Sequence, residues 1–212
     1  AGRPWFAGDG LHLSAMGALG LATLLRGHLL AAMGEAGVSL PGPIRHHPDV
    51  VKPSGVLPGW HGVTGHDIGQ ALGVPVSIDN DANLAALGEH LWGAGRGCDD
   101  CVTVKFHYGI GCGLFVNGAL VRGAAGGAGE IGHTTVDERG LLCRCGKRGC
   151  LEASAGVHAI VERVREVTGE DVEDIDRAVA LAEHPEPRSD QTMAVFSTAG
   201  RDLARGIATV QV

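Results

Sequence analysis

The stretch from Gly129 to Glu152 holds one histidine, three cysteines and the carboxylates of Glu130 and Glu152, and no other part of the chain limits its fold so tightly. His133 stands ten residues before Cys143, Cys145 follows two later, and Cys150 five after that. Three thiolates and one imidazole complete a tetrahedral shell for zinc, and a shell without an open position is structural rather than catalytic. The competing reading is disulfide bonding, since the six cysteines could pair in an oxidising compartment. A Cys-x-Cys pair closes too tight a ring for good disulfide geometry, and no signal-peptide pattern points to export. Structural zinc on His133, Cys143, Cys145 and Cys150 is therefore expected, with the cytoplasm as the location.

Ala128-Gly129-Glu130-Ile131-Gly132-His133, followed by Cys143-x-Cys145-Gly146-x-x-Gly149-Cys150-Leu151-Glu152, resembles the signature of the ROK family of sugar kinases, sugar-responsive repressors and open reading frames. The resemblance implies an α/β fold of the actin and hexokinase (ribonuclease H-like) type, with two lobes around a sugar cleft. It also implies that Glu130, His133 and Glu152 hold sugar hydroxyls. The chemistry agrees, because carboxylates accept from vicinal hydroxyls and a metal-bound imidazole is fixed in orientation.

The leading residues 13 to 36 read as a helix ending at Gly37. Leu11 to Met33 is rich in Leu and Ala, but Gly17, Gly20, Gly27, Arg26 and two histidines interrupt it, so a globular helix is expected rather than a membrane span. Ser39-Leu40-Pro41-Gly42-Pro43-Ile44 and Leu57-Pro58-Gly59-Trp60-His61-Gly62-Val63 are each ordinary Pro-Gly turns by themselves. In their order they resemble the family's strand-end and cleft-side segments. Residues 64 to 72 read as a helix capped by Thr64 and stopped by Gly73, and Val74 to Ile78 as a strand. Asp79-Asn80-Asp81-Ala82-Asn83 then leads into a helix from Leu84 to Trp92. Taken alone, Asp81 reads as a helix cap. The resemblance makes Asn80 a sugar ligand and Asp81 a sugar-binding general base that takes a hydroxyl proton during phosphoryl transfer.

Val102 to Phe106 alternates as a strand, Gly109-Ile110-Gly111-Cys112-Gly113 reads as a glycine-rich turn, and Leu114 to Val121 as a hairpin about Asn117-Gly118. Gly109, Gly111 and Gly113 form a weak phosphate-loop signal. Kinases of the family carry Gly-Thr just before this turn, where this chain has His107-Tyr108. Cys98-Asp99-Asp100-Cys101 has no second pair to complete a metal set. Ser154 to Val167, Val172 to Glu183 and a run from about Asp190 read as helices, with Met193, Phe196, Leu203 and Ile207 as a core-facing stripe of the last.

With 212 residues, 44% hydrophobic, and a net charge of -7, the chain can bury a sizeable core and shows no basic footprint for nucleic acid. The resemblance covers about residues 39 to 212. It implies a partial N-terminal lobe over residues 1–97 and a truncated C-terminal lobe over 98–212, without the family's Asp-x-Gly-x-Thr phosphate loop or a helix-turn-helix. Two functions follow from it. One is the effector-sensing part of a sugar-responsive repressor, which reaches DNA only through a domain absent from this chain; the segment Gly88 to Gly97 and the Val-Lys strand after it resemble the family's regulators. The other is a glucokinase-type or N-acetylhexosamine kinase using ATP and Mg. Either binds a hexose or N-acetylhexosamine, and a homodimer is expected.

Overall fold

A computed structural model describes residues 36–46, 48–183 and 188–210. Of the helix expected over residues 13 to 36, all but the last residue lies outside them, as does the Leu11 to Met33 stretch. Ala36, placed at that helix's end, instead opens strand β1 (Ala36–Leu40), and Gly37 is its second residue. The segment alternates small and branched residues, and its bulk is buried against a partner strand.

That partner is β4 (Val76–Asn80), which pairs with β1 in parallel from Ala36↔Val76 to Leu40↔Asn80. Parallel neighbours need a crossover. Here it contains a short antiparallel pair, β2 (Ile44–Arg45) with β3 (Val50–Val51), and helix α1 (Gly65–Leu72). Helix α1 begins and ends as its residues dictate, with a Thr64–Asp67 capping box and Gly73 left-handed at its end. Leu40, Ile44, Val51, Leu57, Trp60 and Ile78 form the core beneath this layer.

Helix α2 (Asp81–Trp92) starts three residues earlier than the apolar pattern suggests, because Asn80 rather than Asp81 is the cap. It lies on an antiparallel sheet of β5 (Cys101–Phe106), β6 (Ile110–Val116) and β7 (Ala119–Val121). The β6–β7 hairpin turns at Asn117 and Gly118, both at positive φ, as a tight two-residue loop requires. The expected glycine-rich turn is a strand from Ile110 onward, paired with β5 from Cys101↔Phe115 to Phe106↔Ile110. Its glycines serve packing. A Cβ on Gly113 would lie 2.3 Å from Ala86 Cβ and 2.6 Å from Ala82 O, so the residue lets α2 settle on the sheet.

The remaining helices pack as a cluster. The single helix expected from Ser154 is broken at Gly156 into α3 (Leu151–Ala155) and α4 (Val157–Thr168), followed by α5 (Ile175–Glu183) and α6 (Ser189–Ile207). The expected stripe on α6 holds in part. Met193 and Ile207 are exposed, Phe196 and Leu203 are half-buried against the core as expected, and the fully buried line is Thr192, Val195, Ala199, Asp202 and Gly206. Small residues face inward because α3 comes close: a Cβ on Gly206 would sit 2.3 Å from Leu151 Cδ2. Ser154 Oγ also donates to Asp202 Oδ2 at 2.5 Å across this contact. Among the described residues no helix is long and apolar enough to cross a membrane.

One buried carboxylate ties these layers together behind the cleft. Asp79 Oδ1 accepts from Asn80 N at 2.7 Å, Asn83 Nδ2 at 2.9 Å and His46 Nε2 at 3.1 Å. Oδ2 accepts from Arg122 Nε at 2.9 Å and Nη2 at 2.8 Å. Burial pushes the Asp79 carboxyl upward, but the bonds from Asn83, Asn80 and Arg122 outweigh it and hold it below its ordinary value. A depressed folded-state pKa stabilises above the unfolded value of about 3.9 and loses that contribution as pH falls through the folded one. Asp79→Asn should therefore cost about 2 kcal/mol near neutrality, with the deficit narrowing below about pH 4. Urea titrations of both proteins across that range measure it, and a deficit independent of pH would contradict the assignment.

Candidate functional site

A cleft of about 1130 Å³ is lined by Asn80, Asp81, Glu130, His133 and Glu152 together. Gly109 and Gly111 also line it, whereas Gly113 is not among its lining residues. Residues far apart in sequence thus converge as expected, with the phosphate-loop candidates only partly so.

Asn80 closes β4 and caps α2. Its Oδ1 accepts from Ala82 N at 2.9 Å and Asn83 N at 3.3 Å, while Nδ2 donates to Gly42 O at 2.9 Å. This leaves Asp81 free of capping, and its Oδ2 accepts from Lys105 Nζ at 2.5 Å. Glu152, at the start of α3, is gripped on both oxygens: Arg144 Nη2 lies 2.7 Å from Oε1, and Ile110 N donates to Oε2 at 3.1 Å. Glu130 follows Gly129, whose φ of +80° and hypothetical Cβ 1.8 Å from Cys112 O admit only glycine. The Gly129 carbonyl accepts from Cys112 N at 2.8 Å, which fixes Glu130 beside the sheet. Burial, then the charges of Glu152 and Asp81, raise the Glu130 pKa, with Arg144 opposing.

Below the cleft, the donor atoms of His133, Cys143, Cys145 and Cys150 all lie within 4.8 Å of one another. His133 Nδ1 is 3.6 Å from Cys143 Sγ, and Cys145 Sγ is 3.5 Å from Cys150 Sγ. Four ligands at about 2.0–2.3 Å from one tetrahedral ion have such separations. None of the six cysteines is in a disulfide. Burial and then the neighbouring sulfurs push the Cys150 thiol up to about 12, whereas at Cys145 burial is outweighed by the Lys147 backbone and the neighbouring sulfurs, which lower it. Three sulfurs and an imidazole gathered this closely are the donors that a soft divalent cation takes. The donor set therefore fits a metal ion. His133 Nε2 points the other way, 3.9 Å from Glu130 Oε2. Burial holds the imidazole below its ordinary pKa, in the neutral form a metal ligand needs. Among the described residues Cys98 and Cys101 join no such cluster.

Three charged residues that the motifs do not single out shape the site: Lys105 on Asp81, Arg144 on Glu152, and Arg122 on Asp79. Two had a signal in the sequence: Lys105 is the lysine of the Val-Lys strand, and Arg144 lies between two metal-ligand candidates.

The model of the ROK family matches residues 21–212. The chain is 41% identical over 131 residues to the glucokinase of Thermotoga maritima, covering 61% of this chain and 41% of that protein. It is 35% identical over 137 residues to the DNA-binding transcriptional repressor Mlc of Escherichia coli, covering 63% of this chain and 33% of the repressor. Its matches thus span well under half the length of these curated relatives. Among solved structures it resembles a ROK hexokinase from Thermus thermophilus, with a TM-score of 0.75 and 30% identity over 97% of this chain and 66% of that one. It also resembles a ROK glucokinase from Streptomyces griseus in complex with glucose and AMPPNP, with a TM-score of 0.79 and 28% identity over 92% of this chain and 68% of that one. With the family model matching most of its length and a fold of the actin and hexokinase type, the chain belongs to the ROK family.

Proposed function

We propose that the cleft binds a hexose or N-acetylhexosamine and that the chain is the effector-sensing part of a sugar-responsive transcriptional repressor. Asn80, Asp81, Glu130, His133 and Glu152 line one cleft, where three carboxylates can accept from sugar hydroxyls and an imidazole can donate, and the repressor Mlc is among the relatives. Residues up to 97 contribute to one lobe and those from 98 to the other. DNA is reached only through a domain outside this chain, the working form is a homodimer, and the location is the cytoplasm.

The observation that favours a sensor over an enzyme is the state of the phosphate side of the cleft. Phosphoryl transfer needs free backbone donors for the phosphates and a base free to take the hydroxyl proton. His107 N is donated to Gly109 O and Ile110 N to Glu152, so two of the turn's amides are already used. Lys105 occupies an oxygen of Asp81. The second reading is an ATP- and Mg-dependent sugar kinase, with Asp81 as general base. It is supported by the presence of the whole acidic set and by the likeness to a glucokinase with bound glucose and AMPPNP.

In both readings the metal is a structural zinc on His133, Cys143, Cys145 and Cys150, whose part is to hold the loop and fix the imidazole. Zinc binding worth about 10 kcal/mol or more accompanies ordering of the loop. Metal analysis of protein purified without chelator should give one zinc per chain, and a Cys145→Ser, Cys150→Ser double variant should have none. Retention of zinc by the double variant would refute the ligand set.

Calorimetric titration with D-glucose and N-acetyl-D-glucosamine should show binding of at least one, weakened about tenfold or more by Glu130→Gln or Glu152→Gln. A coupled assay should detect no ATP turnover. Turnover that disappears in Asp81→Asn would make the chain a kinase instead.

A further inference from the structure

Arg144 lies between two cysteines of the metal cluster, yet its guanidinium belongs to the cleft. The backbone around it is fixed by Cys143 N donating to Lys147 O at 2.7 Å and Gly146 N to Cys143 O at 2.9 Å. From that turn Nη2 reaches Glu152 Oε1 at 2.7 Å, while the other oxygen of Glu152 takes the Ile110 amide at 3.1 Å. Glu152 is only 10% exposed at its side chain and Arg144 40%. The pair therefore has one buried and one wetter end, a setting in which an arginine–carboxylate contact holds geometry better than a surface pair.

Glu152 needs such a hold. The Glu130 carboxyl is raised by burial first and then by the charges of Glu152 and Asp81, and Arg144 is the cation that opposes them there. Like-charged carboxylates sharing a cleft turn away from each other unless a cation or donors oppose the repulsion. Arg144 also sits over the turn that leads into β6: Nη2 is 3.4 Å from the position of a Cβ on Gly109.

We propose that Arg144 is a positioning residue that transmits the order of the cysteine loop to Glu152, so that the loop sets the acceptor geometry of the cleft. This rests on the sugar-binding reading for its purpose but not for its test. The metal orders the loop, the loop places the guanidinium, and the guanidinium orients Glu152 against the Ile110 amide. A metal-free loop leaves Glu152 held by that amide alone.

The Ile110 amide reports this directly, because its hydrogen bond ends on Glu152. Hydrogen exchange followed by NMR on the metal-loaded full chain should show Ile110 exchanging about tenfold faster in Arg144→Ala than in the parent. The Cys112 amide, which donates to Gly129 O, should be unchanged, and so should metal content. Arg144→Lys should recover part of the protection. Chelation should bring the parent's Ile110 rate to that of Arg144→Ala and leave the variant's unchanged. Equal Ile110 rates in parent and Arg144→Ala, a uniform acceleration of all amides, or a parent insensitive to chelation would each overturn the proposal. If the Ile110 pattern holds while neither D-glucose nor N-acetyl-D-glucosamine binds the parent, the sugar reading fails and the coupling stands.

Discussion

The carboxylate of Asp79 is the contact on which the cleft depends. It is buried, and a buried charge is tolerable only with partners that replace water. Those partners come from three separate stretches: His46 beside the β2–β3 pair, Asn80 and Asn83 at the start of α2, and Arg122 after β7. Neighbouring residues of each stretch line the cleft. Asp79 therefore stands behind the site, and meeting the hydrogen-bonding demand of one residue brings the walls into register. The loop after Arg122 is pressed onto β2 so closely that a Cβ on Gly126 would lie 1.8 Å from Ile44 O.

The second organising device is the cysteine loop, and it works from the opposite wall. His133 faces both ways, Nδ1 to the thiols and Nε2 to Glu130. Cys150 immediately precedes α3, the helix that carries Glu152 and packs on α6 through Gly206. Order in the loop is thus linked to the helical core on one side and to the acidic set on the other.

Much of this was legible in the sequence where a local pattern has one physical meaning. The clustering of His133 with Cys143, Cys145 and Cys150 followed from residue types and spacing, the α1 ends from Thr64 and Gly73, and the hairpin from Asn117-Gly118. Patterns with two meanings misled. Gly111 and Gly113 suit a turn as well as a strand pressed by a helix, and pairing with β5 decided for the strand, while Gly109 stays in the bend before it. On α6 the apolar spacing found Phe196 and Leu203, which pack on the core, but missed that the most buried line beside them is of smaller residues, because close approach of Leu151 leaves no room at Gly206. Lys105, Arg144 and Arg122 carried no sign of their partners. Those are set by tertiary approach, which a single charged residue does not announce.

We propose that the cysteine loop, as the holder of a metal, and the cleft, as the binder of a sugar, act as one unit. The most direct measurement of this central claim is calorimetric titration of sugar into the metal-loaded protein and into metal-free protein shown by circular dichroism to remain folded. Loss of the loop frees His133, Glu130 and Glu152 together, so affinity should fall by well over the roughly fivefold to tenfold expected for one lost hydrogen bond. Equal affinities in the two states would contradict the account and reduce the cysteine loop to a remote staple.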